Sequence, residues 1–149
     1  MTYSNLKSEQ INENLEIVMD YGEILNKDEL VNILSGNFPN TKEKDGVLYG
    51  EKEGKKYCVY FKNISYLGTP HPFFKKRIQI GDNFKTVFKE NTKQGIQTLL
   101  LGVYKYKSTL LFVDFDITKY ATNKSHNSSA HVYTIDLSQS WLVKEKTFK

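Results

Sequence analysis

Cysteine and long apolar runs are nearly absent from this chain of 149 residues. Its single cysteine, Cys58, cannot form an internal disulfide framework, and a structural zinc site built on thiolates needs several. The longest apolar stretch, residues 98–103, is far too short to cross a bilayer, and the first residues lack the apolar core of a signal peptide. We therefore expect a cytoplasmic protein of a reducing compartment that has no membrane partner.

The residues that are abundant are typical of a folded domain. Hydrophobic residues make up 39% of the chain and charged residues 26%, with ten tyrosines and nine phenylalanines. This composition excludes a wholly disordered chain, and the length suits one domain that can bury a core.

Charge is distributed unevenly along the chain. Residues 1–45 contain four lysines against nine acidic residues, whereas residues 46–149 contain seventeen basic residues against eight acidic ones. A basic body predicts an anionic partner, with nucleic acid the commonest. The alternative is that a lysine-rich and asparagine-rich composition only keeps the surface soluble. We expect an acidic helical segment at 1–45 packed on a basic domain at 46–149, together one folded unit of a longer protein.

Two helices are predicted in the acidic segment. Ile11, Leu15 and Val18 recur at helical spacing, and Gly22 is placed to end that helix. A second helix is predicted over 27–35, because Asn26 and Glu29 have the spacing of a capping box.

From residue 46 the pattern changes to the alternation that is typical of strands. It predicts a hairpin over 47–61, a strand around 78–80, two strands at 98–106 and 109–115, and a last strand at 131–137, with one helix near 83–90. Many short strands with few helices predict an α+β domain built on an open β-barrel, with two helices in front.

Two long connections between predicted strands, residues 65–77 and 118–131, are the candidate functional loops. The first contains the only arginine, Arg77, whose planar fork suits a guanine edge or a phosphate; pairing with Asp82 or covering an aromatic ring is the alternative. Two of the three prolines flank His71 and stiffen this loop, while Phe73 and Phe74 are expected to be core anchors.

Between Ala121 and Ala130, the second connection is a row of neutral polar side chains with a single lysine. Asparagine can read adenine edges, serine can bind bases or phosphates, and lysine can bind phosphate. An ordinary surface loop is the alternative.

Catalytic patterns are weak. Asp45 followed by Glu53 and Lys55 resembles a metal-dependent nuclease motif on paper, but Glu53 falls at a predicted hairpin turn. Asp114 and Asp116 share one strand face, as two-metal sites require, but a charged strand end or side chains that cap the turn explain them better. We therefore expect no catalytic residue, no metal and no cofactor in this domain.

Four segments, residues 75–80, 99–104, 113–116 and 127–133, resemble the DNA-recognition domains of restriction enzymes. The resemblance is closest to the N-terminal domain of the McrB-like subunit of LlaJI-type restriction systems, and it covers residues 57–137. It implies a DNA-binding pseudobarrel, the fold shared by plant B-three transcription factors and the EcoRII and BfiI recognition domains. Residues 65–77 and 118–131 would be the two arms that grip the major groove.

The same resemblance implies partners in the full-length protein: a nucleotide-driven motor domain and a separate McrC-like nuclease subunit. It does not account for the two predicted front helices, which the smallest pseudobarrels lack.

The sequence therefore predicts a module that binds double-stranded DNA site-specifically. The predicted DNA-binding residues are Tyr66, Thr69, His71, Lys75, Lys76, Arg77, Gln79, Lys119, Tyr120, Asn123, Lys124, Ser125, His126, Asn127, Ser128 and Ser129, with Lys62, Lys105 and Lys107 as further phosphate contacts. Two alternatives stay open: a small metal-dependent nuclease, and an RNA- or protein-interaction module in which exposed aromatic residues stack on the partner.

Overall fold

The computed structural model describes residues 1–117, 120 and 129–139, and in this part the chain is an α+β protein made mostly of strands. The strands are β1 Thr2–Ile11, β2 Ile17–Ile24, β3 Lys42–Lys44, β4 Val47–Lys52, β5 Lys55–Asn63, β6 Ser65–Tyr66, β7 Lys75–Gln79, β8 Gln97–Tyr106, β9 Thr109–Phe115 and β10 Ser129–Tyr133. The helices are α1 Lys27–Asn37, α2 Phe84–Lys93 and α3 Thr134–Ser138.

A five-stranded sheet in the order β3-β4-β5-β8-β9 forms the centre of the fold. Its strands alternate between two buried faces, so that Cys58 and Tyr60 contribute to one core and Val59 and Phe61 to the other. The pair β5–β8 is parallel, and the connection between these strands contains β6, β7 and α2. The hairpins predicted over 47–61 and 98–115 are confirmed.

Helix α1 covers one face of this sheet through Leu30 and Leu34. The predicted capping box is confirmed: the side chain of Asn26 accepts a bond from the backbone of Glu29 at 2.9 Å, and the Glu29 carboxylate accepts one from the Asn26 backbone at 3.1 Å. These bonds satisfy backbone donors that would otherwise be free at the helix start. The helix extends two residues beyond the predicted end.

The other face is covered by a three-stranded antiparallel sheet in the order β10-β7-β6, by the β1–β2 hairpin and by α2 and α3. Ile78 of β7, Ala130 of β10 and Leu137 of α3 are all buried in this second core. The three-stranded sheet is important for function because it contains Arg77 and brings together the ends of the two predicted loops.

The helix predicted from Ile11 to Gly22 is wrong, because these residues form the end of β1, a turn and β2. Within the turn, the Asn12 carboxamide accepts bonds from the backbones of Asn14 and Glu16 at 3.0 and 2.9 Å. The backbone of Ile11 donates to the Tyr104 hydroxyl at 2.9 Å, which attaches the hairpin to the central sheet. The acidic segment therefore has one helix where two were predicted, and its separation from residues 46–149 as a domain unit stays a prediction.

The last strand is also shorter than predicted, since β10 ends at Tyr133 and α3 begins at Thr134. Thr134 donates its backbone hydrogen to Phe74 at 2.9 Å and turns the chain into a helix that buries Leu137. The helix predicted near 83–90 is confirmed as α2. The three sheets of the described residues form no closed barrel, and the open pseudobarrel stays a prediction.

None of the helices within residues 1–117 and 129–139 combines the length and apolar character needed to cross a membrane.

Gly102 of β8 marks a close approach in the core. A Cβ atom added there would lie 2.7 Å from Cγ1 of Ile64 and 2.8 Å from a ring carbon of Phe115, both buried side chains. We expect Gly102→Ala to lower the free energy of unfolding by about 1–3 kcal/mol through overpacking. Urea denaturation measures the change, and Gly36→Ala in α1 is the matched control because nothing lies within 4 Å of its added Cβ. An unchanged midpoint for Gly102→Ala would contradict this packing.

Candidate nucleic-acid interface

The alternation of β7 separates its side chains into two sets. Lys76 and Ile78 are buried, whereas Lys75, Arg77 and Gln79 are partly or fully exposed on the outer face. This is the period of two that a strand imposes on its side chains. The outer set contains three of the residues predicted to bind DNA.

Pairing with the neighbouring strands widens this outer face. Gln79 lies opposite Ser129, Arg77 opposite His131 and Lys75 opposite Tyr133, all on β10. Ser65 of β6 lies opposite Arg77 from the other side. Cross-strand partners project on the same side of an antiparallel sheet, so these side chains form one surface, about 13 Å long from residue 79 to residue 75. We call it the recognition strip: Ser65, Lys75, Arg77, Gln79, Ser129, His131 and Tyr133.

Arg77 lies at the centre of this strip and is held from one side. Its Nη1 atom donates to the Ser129 hydroxyl at 3.3 Å, which joins the first predicted arm to the base of the second. The alternative pairing with Asp82 is not observed, since none of the ion pairs between described residues includes Arg77. The remaining guanidinium donors can therefore serve a ligand.

An open cleft of about 430 Å³ continues the strip at the Gln79 end. Lys62 projects into this region from β5, with its amine 5.6 Å from the centre of the Tyr60 ring. The cleft has one carboxylate, Asp82, and is otherwise basic or neutral: it is lined by Lys62, Asn63, Ser65, Tyr66, Arg77, Gln79, Ile80, Gly81 and Asp82.

The loop between β6 and β7 is ordered by its own hydrogen bonds. The Tyr66 hydroxyl donates to the backbone oxygen of His71 at 2.5 Å, and the His71 backbone donates to Gly68 at 2.8 Å. Thr69 and His71 are exposed on this loop. A loop that is already held in one shape loses little entropy when a ligand binds.

Phe73 and Phe74 are not the core anchors that the sequence predicted, because 53% and 48% of their surfaces are exposed. The Phe74 ring lies 5.9 Å from the ring of Tyr133, which is itself 44% exposed. Phe73 has a similar contact with Tyr66 at 5.9 Å. Sequence reasoning missed this aromatic end of the strip, although the alternation of Tyr133 with the apolar Val132 is a signal that could have indicated its outward face.

Lys76 was predicted among the DNA-binding residues, yet only 1% of it is exposed. Its amine lies 3.4 Å from the Ser8 hydroxyl and 5.7 Å from the centre of the Tyr104 ring. Burial lowers the pKa of the Lys76 amine to about 8, an effect that Glu9 partly opposes. The amine therefore points into the protein, away from the recognition strip.

Two other lysines predicted to contact phosphate surround an acidic group. The Lys105 amine lies 3.0 Å from the Glu23 carboxylate, which also accepts a bond from the backbone of Lys107. The Lys107 amine lies 5.2 Å from the centre of the Tyr106 ring. Neither lysine belongs to the strip.

The second predicted arm is described only at its ends. Tyr120 is buried, with 8% exposed, and its ring meets the edge of Phe115 at 6.3 Å. Ser129 is paired with Gln79 and bonded to Arg77. The other predicted residues of this arm lie outside the described residues: Lys119, Asn123, Lys124, Ser125, His126, Asn127 and Ser128.

The acidic residues of the nuclease motif that the sequence suggested lie far apart in the structure. Asp45 lies in the turn before β4 and Glu53 in the turn after it, so they are separated by the length of β4, about 17 Å. This distance prevents the two carboxylates from sharing one metal ion. Over residues 1–117, 120 and 129–139, no group of three or more histidine, cysteine or acidic side chains is arranged to hold a metal.

Comparison with known families matches residues 55–144 to Methylase-associated X1. No curated protein and no solved structure matches the chain. The matched region begins at the first residue of β5 and contains the whole recognition strip, while the β1–β2 hairpin and α1 precede it. The match points to a domain associated with restriction–modification, and the finer resemblance to McrB-like subunits of LlaJI-type systems stays a prediction. With more than half of its length matched, the chain belongs to the Methylase-associated X1 family.

Proposed function

We propose that this domain recognises the target site of a restriction–modification system on double-stranded DNA, and that the recognition strip reads the bases. The observation that carries the proposal is the placement of Arg77, the only arginine of the chain, at the centre of an exposed polar sheet face and without an ion pair among the described residues. Family membership supplies the restriction–modification context.

The chemistry of the strip suits base edges in the major groove. An arginine fork can donate two bonds to guanine, and a glutamine amide such as that of Gln79 can bond an adenine edge in both directions. Lys75 and Lys62 flank these two residues and supply the salt-dependent attraction to phosphates. The strip is about 13 Å long, which along the groove corresponds to about four base-pair steps of 3.4 Å.

The second arm completes this proposal. The sequence predicts that residues 118–131 line the groove. Ser129, near the end of this segment, belongs to the recognition strip and accepts a bond from Arg77. We further propose that the domain belongs to a longer cytoplasmic protein, in which a motor domain and a McrC-like nuclease subunit would act on the site that this domain selects. The domain itself would hold neither cofactor nor catalytic residue.

Selection from a randomised duplex pool at two salt concentrations tests the proposal. We expect one short motif to be enriched and to survive the higher salt, because direct base contacts depend on salt less than phosphate contacts do. Binding that enriches no motif and disappears with salt would contradict site-specific recognition and leave only a basic surface.

A second candidate function, binding of unpaired nucleic acid, is favoured by the exposed rings of Phe73 and Phe74. Aromatic side chains stack on unpaired bases with little regard to sequence. The same pool tested as single strands separates the candidates: tighter binding to single strands than to the selected duplex would replace the first proposal by the second.

A further inference from the structure

An exposed aromatic pair lies at the Lys75 end of the recognition strip. Phe74 stands directly before β7, and Tyr133 lies opposite Lys75 on β10, with the two rings 5.9 Å apart. Both rings are close to half exposed. A cluster of large apolar side chains on a surface is typical of a binding site.

The neighbours of this pair restrict what it can bind. Lys75 lies opposite Tyr133 and beside Arg77 on the same sheet face, so a ligand that covers the pair also meets two cations. Duplex DNA presents such a combination, because each thymine carries an apolar C5-methyl group in the major groove next to a charged backbone. An apolar protein surface would bury the rings but leave these cations without a partner.

Spacing supports the same ligand. Lys75 is two residues from Arg77 along β7, about 7 Å; Tyr133 lies opposite Lys75, and Phe74 is one residue further from Arg77. Base pairs along one strand of DNA are about 3.4 Å apart. When Arg77 is placed on a base edge, the rings therefore reach a base roughly two to three steps away.

We propose that Phe74 and Tyr133 form a contact for the C5-methyl group of a pyrimidine, two to three base pairs from the one that Arg77 reads. This inference rests on the proposed function, since it requires a duplex in the strip. The methyl group belongs either to thymine or to 5-methylcytosine, and both present the same apolar surface in the groove.

A methyl scan of the selected duplex tests the contact. Each thymine is replaced in turn by deoxyuridine, which removes only the methyl group, and each cytosine by 5-methylcytosine, which adds one. We expect the methyl group at one position to strengthen binding about threefold to fourfold, the value of burying one such group. Loss with deoxyuridine assigns the contact to thymine, and gain with 5-methylcytosine assigns it to a methylated site.

Two variants connect the effect to the aromatic pair. Phe74→Ala and Tyr133→Ala should each bind the methylated and unmethylated duplexes equally at that position. Tyr3→Ala is the matched control, because Tyr3 is an exposed ring on β1, 64% exposed and outside the strip, and it should keep the full methyl effect. Thermal melting compares the folding of each variant with that of the unchanged protein.

The outcomes separate this inference from the function on which it rests. Selective duplex binding with no methyl effect at any pyrimidine, or a methyl effect that persists in both variants, overturns the aromatic contact and leaves site recognition in place. Failure to select any duplex motif overturns site recognition itself, and the methyl contact with it.

Discussion

Replacing Arg77 with alanine is expected to weaken binding to the selected duplex by about 1–3 kcal/mol, roughly fivefold to 150-fold, and to relax the preference at one base pair. The reason is geometric, because the bond from Nη1 to Ser129 fixes one side of the guanidinium, and its other donors can bond a base edge. Competition binding with duplexes that carry each base at each position measures both the loss and its location.

A further variant separates the effect of the positive charge at position 77 from the effect of the planar arrangement of the arginine donors. Arg77→Lys keeps the positive charge but loses the planar pair of donors, so it should retain affinity for random duplex and lose the preference. Lys55→Ala is a control for charge alone, since Lys55 begins β5 about 23 Å along the strand from Lys62 and should change neither property. From the sequence, Lys124→Ala is expected to weaken all duplexes evenly.

The result that would contradict this role is an equal loss on both kinds of DNA. If Arg77→Ala weakens binding to the selected and random duplexes by the same factor, Arg77 supplies charge and reads no base. If Arg77→Lys then restores all of the affinity and the preference, base reading must lie elsewhere on the strip or in the second arm.

Local signals in the sequence predicted much of this fold. The capping box of α1 is specified by Asn26 and Glu29 alone, because both bonds form within one turn. The β4–β5 and β8–β9 hairpins were likewise predictable from short turns between alternating segments, such as the one at Glu53 and Gly54. In each case the determining contacts lie within a few residues of each other.

The N-terminal hairpin was missed because its determinants are distant in sequence. Ile11, Leu15 and Val18 fit a helix by spacing, but Ile11 is fixed by a bond to Tyr104, which is 93 residues away. The turn that reverses the chain depends on Asn12, and asparagine is typical of turns as well as of helix ends. Tertiary contacts here override a local periodicity that is short and weak.

The sequence predicted which residues belong to the candidate site better than it predicted which side of β7 each of them lies on. Arg77 and Gln79 were selected correctly as an exposed pair, since both alternate with Ile78. Extending the same alternation by one step places Lys76 on the buried side, but three consecutive basic residues suggested a single charged surface. The pairing of β7 with β10, which brings Ser129 and Tyr133 to the strip, joins segments about 50 residues apart and needed the structure.

Lys76→Met is expected to stabilise the protein at neutral pH, although it removes a residue from a basic run. At pH 7 the amine is protonated in both the folded and the unfolded chain, and the folded chain keeps that charge away from water. A folded-state pKa of about 8, against the ordinary value of 10.5, corresponds to a cost of about 3 kcal/mol. A methionine of similar length carries no such cost, so we expect about 2–3 kcal/mol more free energy of unfolding by urea denaturation.

The pH dependence identifies the cause. Below pH 8 the Lys76 amine is charged in both the folded and the unfolded chain, so the free-energy cost of burying the charge is constant. Above pH 8 the folded chain releases the Lys76 proton first. The unfolded chain then binds more protons, and the free energy of unfolding rises with pH towards pH 10.5. The advantage of Lys76→Met over the unchanged protein should therefore shrink by about 1 kcal/mol between pH 8 and pH 9. Taking the difference between the two proteins cancels other groups that titrate there, Cys58 among them.

The same substitution distinguishes a buried amine from a DNA contact. If the Lys76 amine remains between Ser8 and Tyr104, Lys76→Met should bind the selected duplex as tightly as the unchanged protein and with the same dependence on salt. A lysine that contacts phosphate would instead reduce the salt dependence by about one counterion when it is removed. If Lys76→Met is destabilised and its binding depends less on salt, Lys76 lies on the DNA-binding surface and the orientation of β7 is reversed. If the variant is stabilised and its binding is unchanged, base reading on that strand is restricted to Lys75, Arg77 and Gln79.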